Sequence, residues 1–341
     1  MRTLLLYSLS LLRLPLPVRS TWTHLSPLPH TLQEHTTLPL PHPHDASLIT
    51  IGGLVANGST TASTLVYSIP SNTWSSFTPI PTPLNHANAA VSNHTIYLMG
   101  GLSGLSQWPP SPSTFKFDLL APEAGWQALS PIPPAHSPRG AAAVAVYNDT
   151  IYLAGGILGL WGPTVATVSA YHIPTDSWVD LPECLASLPG GEGRDHAGSA
   201  QVDSKWYILG GRRDGAENRK SEVFILDFED LEGGWKVGEG RMPTPRGGIA
   251  AGVVGRVVYT FGGEGNNVTG SEGSDVGVFG EVEGYHVDLD EWRVGLGRME
   301  VARHGTSAVG IGGKVYIPGG SVRQGPGGVD VFDAFEPPLG C

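Results

Sequence analysis

The chain has 341 residues with a formal net charge of −11 at pH 7, 47 glycines, 29 prolines and two cysteines. Because nucleic acids and anionic membrane surfaces are bound through clustered Lys and Arg, this charge, with no such cluster, argues against both as partners. Two cysteines exclude a disulfide-based scaffold, and the abundance of Gly and Pro predicts many short strands joined by tight turns.

Residues 1–20 have the pattern of a secretory signal peptide. Arg2 precedes an apolar run, and Val18 and Ser20 have the −3/−1 spacing of a cleavage site. Arg13 interrupts the run, so an uncleaved anchor or a mis-assigned start is the alternative, although the run is short for a membrane span. We expect a secreted monomer whose mature part, residues 21–341, has no membrane span. Without a signal peptide, the alternative is an intracellular substrate adaptor.

Four Asn-x-Ser/Thr sequons also favour export, at Asn57, Asn93, Asn148 and Asn267. Asn is also common in turns, because it tolerates a left-handed backbone, and this is the alternative explanation for the sequons. We expect glycosylation of at least one of the four sites. Cys184 and Cys341 are candidates for one disulfide that would tie down the C-terminus. Two unpaired thiols are the alternative.

A unit of about fifty residues recurs six times along the chain. Each unit contains an aliphatic or aromatic run that ends in Gly-Gly, as in IYLMGG, IYLAGG and WYILGG. In five units a second strand with Tyr or Phe follows, and then a Trp. The first glycines of the pairs are Gly52, Gly100, Gly155, Gly210, Gly262 and Gly319, and the tryptophans are Trp74, Trp126, Trp178, Trp235 and Trp292.

The two ends of the chain complement each other. Trp22 opens TWTHLSPLP, which matches WSSFTPIP at Trp74, so it belongs to the last strand of a unit that lacks its earlier strands. The final unit ends near Phe332 without a Trp. Naming the strands of each unit a to d, the N-terminal segment therefore supplies strand d of the last unit. This pairing covers two strand edges and predicts a closed ring of six four-stranded blades.

Residues 21–341 resemble the kelch-repeat family, and unit three shows the pattern in PRGAAAVAVYNDTIYLAGG followed by AYHIPTDSW. The resemblance implies an all-β fold, a six-bladed kelch-type β-propeller, here closed by an N-terminal strand. Unit one departs from the pattern, with the Pro- and His-rich TTLPLPHPHDASLITIGG where an a/b hairpin is expected. The recurring Gly and Trp have structural explanations, because glycines permit close backbone approach and Trp fills the wedge between blades.

Antiparallel pairing places the d–a and b–c loops on one face of the propeller. Arg and His recur where strand a begins, and propeller symmetry would gather them at the mouth of the central channel. These candidates are His35, His86, Arg139, Arg194, His196, Arg246, Arg303 and His304, and the b–c loops add Trp108, Trp161, Arg212 and Glu264. Arg and Trp suit an anionic or sugar-like ligand as well as a protein surface. In kelch-like folds such positions also hydrogen-bond neighbouring loops, which is the structural alternative.

Motifs for hydrolases, zinc proteases, phosphate loops and dinucleotide binding are lacking. The His30, His35, His42 and His44 cluster has no defined metal spacing. We therefore predict no catalytic residue, metal ligand or cofactor, and a non-enzymatic module that binds a protein or a glycan. Two enzymes on related propellers are alternatives. The first is a sugar mutarotase or epimerase that uses Glu264. The second is a copper radical oxidase, which needs a Cys cross-linked to a Tyr, but neither Cys184 nor Cys341 lies in a Tyr-bearing strand.

Overall fold

The computed structural model describes residues 20–41, 46–265 and 277–338. They form six four-stranded antiparallel sheets, which confirms the six-bladed propeller. In the described residues no helix is both long enough and apolar enough to cross a membrane. Several predictions fall outside these residues, namely the segment 1–19, His42, His44, the sequon at Asn267 and the disulfide candidate Cys341.

Four strands that are consecutive in the chain make up each of the first five blades. Blade 1 has β2 (Thr36–Pro39), β3 (Ser47–Ile51), β4 (Thr64–Ser68) and β5 (Thr73–Ser76). Blade 2 has β6 (Ala89–Ser92), β7 (Thr95–Leu102), β8 (Pro110–Asp118) and β9 (Gln127–Ala128). Blade 3 has β10 (Ala143–Tyr147), β11 (Thr150–Ala154), β12 (Val168–His172) and β13 (Ser177–Val179).

The second half of the ring repeats this arrangement. Blade 4 has β14 (Gly198–Val202), β15 (Lys205–Leu209), β16 (Val223–Asp227) and β17 (Lys236–Val237). Blade 5 has β18 (Ala250–Val254), β19 (Val257–Phe261), β20 (Val282–His286) and β21 (Glu291–Arg293). Blade 6 has β22 (Val309–Ile311), β23 (Lys314–Pro318), β24 (Phe332–Glu336) and the N-terminal β1 (Thr21–His24). The first strands of neighbouring blades contact one another, so they lie nearest the central axis.

Short 3₁₀ helices occur in the c–d and d–a connections, at Pro122–Ala124, Pro134–His136, Ile173–Thr175, Pro189–Gly191 and Leu231–Gly233. The Pro- and His-rich departure in unit one does not prevent the a/b hairpin, because β2 pairs with β3 in antiparallel register.

The N-terminal strand closes the ring as predicted. β1 pairs antiparallel with β24, and Trp22 lies opposite Phe335 in the register. The indole of Trp22 packs against the rings of Phe335 and Phe261, with centroids 5.1 and 5.9 Å apart. Phe261 belongs to blade 5, so the closing strand completes blade 6 and also joins it to its neighbour.

The recurring Trp has a polar as well as an apolar role. The indole Nε1 of Trp178 donates to the carbonyl of Ser130 in the preceding blade, at 3.2 Å. Asp176, two residues before this Trp, accepts from the backbone N–H of the same Ser130 at 2.8 Å and from the Tyr171 hydroxyl at 2.7 Å. Trp74 and Trp126 make the same donation to Ser26 and Thr78. The repeated aromatic positions therefore fasten each blade to the one before it.

The Gly-Gly turns are places where one blade touches the next. Gly262 has φ 57°, and a Cβ on it would lie 2.0 Å from the carbonyl oxygen of Arg303, where blade 6 begins. Gly155 meets the carbonyl of Arg194 at 2.1 Å in the same way. Gly52 and Gly319 meet the carbonyls of Leu84 and Leu32 in the same way, whereas Gly100 and Gly210 have left-handed backbones and approach other groups.

Candidate functional site

One backbone position of each d–a loop forms a closed ring around the channel. The backbone N–H of each ring residue donates to the carbonyl of the ring residue in the preceding blade, with N···O distances of 2.6 to 3.3 Å. All six have a left-handed backbone, with φ between 49° and 65°. We call them the inner ring: Glu34, His86, Ala141, His196, Gly248 and Gly305. They line the channel, so a side chain at any of these positions faces the axis.

Charged side chains gather on this ring and just beside it. We call the cluster the charged floor: Glu34, His86, Asp195, His196, Arg212, Glu264 and His304. The Nε2 atom of His86 lies 3.2 Å from a carboxylate oxygen of Glu34, and the Nε2 of His196 lies 3.9 Å from the same oxygen. The two imidazole rings meet edge to face, 4.8 Å apart.

Arg212 is the cation of the charged floor, and two carboxylates hold it. Its Nε donates to Asp195 at 2.8 Å, and its Nη1 donates to Glu264. Burial disfavours the charged guanidinium, but Glu264 and Asp195 outweigh burial and raise the pKa of Arg212. Burial also favours protonation of Asp195, yet His196 and Arg212 lower the pKa of this carboxyl.

The buried position of the floor governs the ionisation of Glu34 and His86. Burial lowers the pKa of His86 to about 4, against the attraction of Glu34, so this imidazole is neutral at pH 7. Burial by itself would raise the pKa of Glu34, but His86, His196, His304 and Arg212 reverse the effect and lower it to about 2. Glu34 is therefore a carboxylate in the folded protein.

Above the charged floor lies a cavity of about 820 Å³ that opens on the d–a and b–c face. Its wall in blade 3 is apolar and carries Trp161, which is 87% exposed, next to Leu160. Trp108, from blade 2, packs with its ring 5.5 Å from that of His86. The mouth thus combines a polar buried floor with an exposed aromatic rim.

Four of the candidate arginines lie buried inside their blades and do not line the cavity. Arg139, Arg194, Arg246 and Arg303 are at most 2% exposed, and each donates to a backbone carbonyl at or just before the Gly-Gly turn of its own blade. Arg246 and Arg303 also pair with Glu283 and Asp333, at 2.5 and 2.7 Å. These guanidinium groups therefore join the start of strand a to the end of strand b. They form hydrogen bonds within the fold, which the sequence analysis gave as the alternative to ligand binding.

The histidine candidates divide between two positions of the loop. The arginines align with Leu32 and Leu84 in blades 1 and 2, whereas His86 and His196 stand two residues further on, in the inner ring. His35 falls just after the ring residue Glu34, is 5% exposed and lies against Gly319. Sequence reasoning selected His35 and missed Glu34. Aligning the units on the residue two after Leu84 and Arg194 would have found it.

The other predicted residues reach the mouth. Trp108, Trp161, Arg212 and Glu264 come from b–c loops and border the cavity together with His304, as the antiparallel topology requires. Asp195 and Asn85, which the sequence analysis did not select, orient the two ring histidines from the adjacent loop position. Cys184 is exposed, and its proposed pairing with Cys341 stays a prediction.

Comparison with known proteins agrees with this architecture. The family model described as the KLHDC2/KLHL20/DRC7 Kelch-repeats domain matches residues 34–263. The Kelch-like protein terF of Aspergillus terreus is 33% identical over 339 residues, which cover 93% of this chain and 70% of that protein. The chain belongs to the kelch-repeat family. Kelch propellers generally bind proteins, so the fold is consistent with a protein-binding scaffold.

More distant relatives share the propeller over shorter spans. Alpha-scruin of Limulus polyphemus is 25% identical over 69% of this chain, and Kelch domain-containing protein 3 of Bos taurus is 24% identical over 70%. The present chain spans 24% of the length of alpha-scruin and 64% of the length of Kelch domain-containing protein 3. The solved structure of YjhT matches with a TM-score of 0.71 at 15% identity, over 90% of this chain and 95% of that one, which shows the fold alone. The sugar-isomerase and copper-oxidase alternatives gain no support from these comparisons.

Proposed function

We propose that this kelch propeller is a non-enzymatic binding module that holds a protein partner across its mouth. The observation that carries the proposal is Trp161, a large apolar side chain that is 87% exposed at the rim of a cavity of about 820 Å³. Leu105, in the neighbouring b–c loop, is 79% exposed. Trp is among the residues that contribute most to protein interfaces, because it buries a large area at little cost in conformational entropy.

The electrostatics of the mouth favour a protein over an acidic glycan. The arginines that would bind an anionic sugar are buried inside their blades, and Arg212 already pairs with Asp195 and Glu264. A neutral glycan stacked on Trp161 is the second ligand class, and the experiment below separates the two.

Site-specific photo-crosslinking tests the proposal. A photoreactive phenylalanine in place of Trp161 reports on the mouth, and the same residue in place of Leu120 is the matched control. Leu120 is 65% exposed and follows β8, in a c–d loop on the opposite face. We expect discrete adducts from position 161 that yield peptides of a second protein after proteolysis, and none from position 120. Excess wild-type chain should suppress these adducts, whereas excess Trp161→Ser chain should not.

Two results would contradict the protein-binding proposal. Equal labelling from positions 161 and 120 would remove the preference for the mouth. Adducts that yield peptides of this chain alone, and that lose added mass from position 161 on glycosidase treatment, would instead establish the glycan as ligand.

We also propose that the protein is exported and glycosylated. Support comes from the apolar segment after Arg2 and from the sequons. Asn57, Asn93 and Asn148 are all exposed, so an oligosaccharide on them would not disturb the blades. Residues 1–20 would be the signal peptide that is removed.

A further inference from the structure

The inner ring brings three metal-ligating side chains together at the axis of the propeller. These residues come from blades 1, 2 and 4 and are Glu34, His86 and His196. The other three ring positions are an alanine and two glycines, Ala141, Gly248 and Gly305, which leave the centre clear. One ligand atom from each of the three polar residues lies within 4.8 Å of the others. The three ligand residues are all held in place by the closed circle of backbone hydrogen bonds between blades.

The distances suit a small metal ion. Bonds of about 2.0 to 2.2 Å in a tetrahedral site separate neighbouring ligand atoms by about 3.3 to 3.6 Å. The Nε2 of His86 and the nearer oxygen of Glu34 are 3.2 Å apart, and the Nε2 of His196 is 3.9 Å from that oxygen. Because 3.9 Å exceeds this range, the His196 imidazole would move toward the Glu34 oxygen on binding the ion.

The two histidines are oriented in the way that metal ligands are oriented. The Nδ1 of His196 lies 2.6 Å from Asp195, whose carboxylate accepts only, so Nδ1 donates to it and Nε2 faces the axis. The Nδ1 of His86 lies 2.6 Å from the side-chain oxygen of Asn85, whose amide group donates to Thr60 and so fixes that oxygen toward the ring. The Nε2 atoms of both imidazoles thus face the same carboxylate oxygen of Glu34.

A fourth buried nitrogen is aimed into the same cluster. His304 is 2% exposed, and its Nε2 donates to the carbonyl of Arg323 at 2.8 Å. Its Nδ1 lies 3.7 Å from Glu264 and 3.9 Å from Glu34 and has no hydrogen-bond partner in the described part of the chain. A buried side-chain nitrogen without a hydrogen-bond partner is uncommon in folded proteins and is consistent with a further bound group near the axis.

We propose that Glu34, His86 and His196 bind one divalent first-row transition metal ion at the axis of the propeller. Two imidazoles and one carboxylate favour such ions, with zinc as the reference case, over calcium or magnesium, which prefer oxygen ligands. The remaining coordination position faces the cavity beneath Trp108 and Trp161, so a small ligand or a partner side chain can reach the ion. This inference does not depend on the proposed protein partner, because it concerns the free chain.

Metal binding is measured on the full chain, stripped with chelator and then titrated with ZnCl₂ by calorimetry, with metal content determined after gel filtration. We expect one ion per chain and a higher melting temperature with zinc, since a ligand of the native state stabilises it. Glu34→Gln and His196→Ala should each weaken zinc binding by more than about 100-fold, and Asp195→Asn, which alters the group that orients His196 without removing a ligand, by about 10- to 100-fold. CoCl₂ in place of zinc should give the visible absorption of a nitrogen-coordinated site.

A double variant, His42→Ala with His44→Ala, is the matched control, because this pair is the other His-rich metal candidate of the sequence. It should bind zinc as the unchanged chain does. Since the ligand variants could unfold, ¹⁵N spectra of histidine in the unchanged chain provide a second readout, in which zinc should shift two Nε2 resonances. A stoichiometry of zero, unshifted resonances, or loss of binding in the control but not in Glu34→Gln would overturn the proposal.

Discussion

Glycines with the same backbone conformation have different roles in this molecule. Gly262 and Gly255 have φ of 57° and 60°, but a Cβ on Gly262 would collide with the carbonyl of Arg303, whereas one on Gly255 would meet nothing within 4 Å. Comparing Gly255 with Gly262 therefore distinguishes two reasons why glycine is needed. One is the left-handed backbone, and the other is the close approach of the next blade.

Replacing each of these glycines with Ala should therefore give unequal losses of stability. Gly255→Ala should cost about 1 to 2 kcal/mol, because Ala resists a left-handed backbone. Gly262→Ala should cost clearly more, since blades 5 and 6 must also move apart. Urea denaturation measures both free energies of unfolding. Equal losses would show that the contact with Arg303 contributes nothing.

A step of two residues along the loop also distinguishes structural from site residues. In blade 4, Arg194 lies inside the blade on a backbone carbonyl, and His196, two residues later, faces the axis. The two side chains differ in direction because His196 itself has the left-handed backbone of the inner ring and Arg194 does not. Composition at the start of strand a therefore does not reveal which side chain meets a ligand.

At the scale of elements, the N-terminal strand contributes more than its four residues indicate. β1 completes the sheet of blade 6, and the following segment gives the carbonyl of Ser26 to the indole of Trp74 in blade 1. Trp22 also packs against Phe261 in blade 5. The segment from Thr21 to Leu28 thus joins three blades.

Deleting residues 21–28 should destabilise the whole ring rather than fray one end. The deletion exposes the edge of β24 and removes the contacts of Trp22 with Phe335 and Phe261. We expect a large drop in the melting temperature and faster amide exchange in blades 1, 5 and 6. Trp22→Ala, which keeps the strand, should lose about 2 to 4 kcal/mol. An unchanged melting temperature of the deletion variant would refute this account of closure.

At the scale of the whole molecule, the two faces of the propeller differ in kind. One face has the cavity with Trp161 at its rim, and the other carries the a–b turns with Asn93 and Asn148. Asn57 lies in a b–c loop on the cavity face. Glycans at Asn93 and Asn148 would leave the mouth accessible, whereas one at Asn57 would stand beside it.

The proposed export makes this asymmetry testable. Protein recovered from the culture medium should begin after Ser20 by N-terminal sequencing, and its mass should fall on treatment with an N-glycosidase. Asn93→Gln and Asn148→Gln should reduce the glycan mass without affecting labelling from position 161. Asn57→Gln should increase photo-crosslinking from position 161, because a glycan on Asn57 would stand beside the mouth. An intact Met1 on protein confined to cells would contradict export.

The amino-acid sequence by itself determined the number of blades, the closing strand and the face on which the loops gather. Those features follow from local repetition, because Gly-Gly, Tyr and Trp mark the same strand ends in each unit and Trp22 completes the last one. Only the tertiary structure decided which loop residues face the axis. That choice depends on hydrogen bonds between blades that are distant in the chain, such as Glu34 to Gly305, and these turn Glu34 and His196 toward the channel while the neighbouring Arg194 is buried.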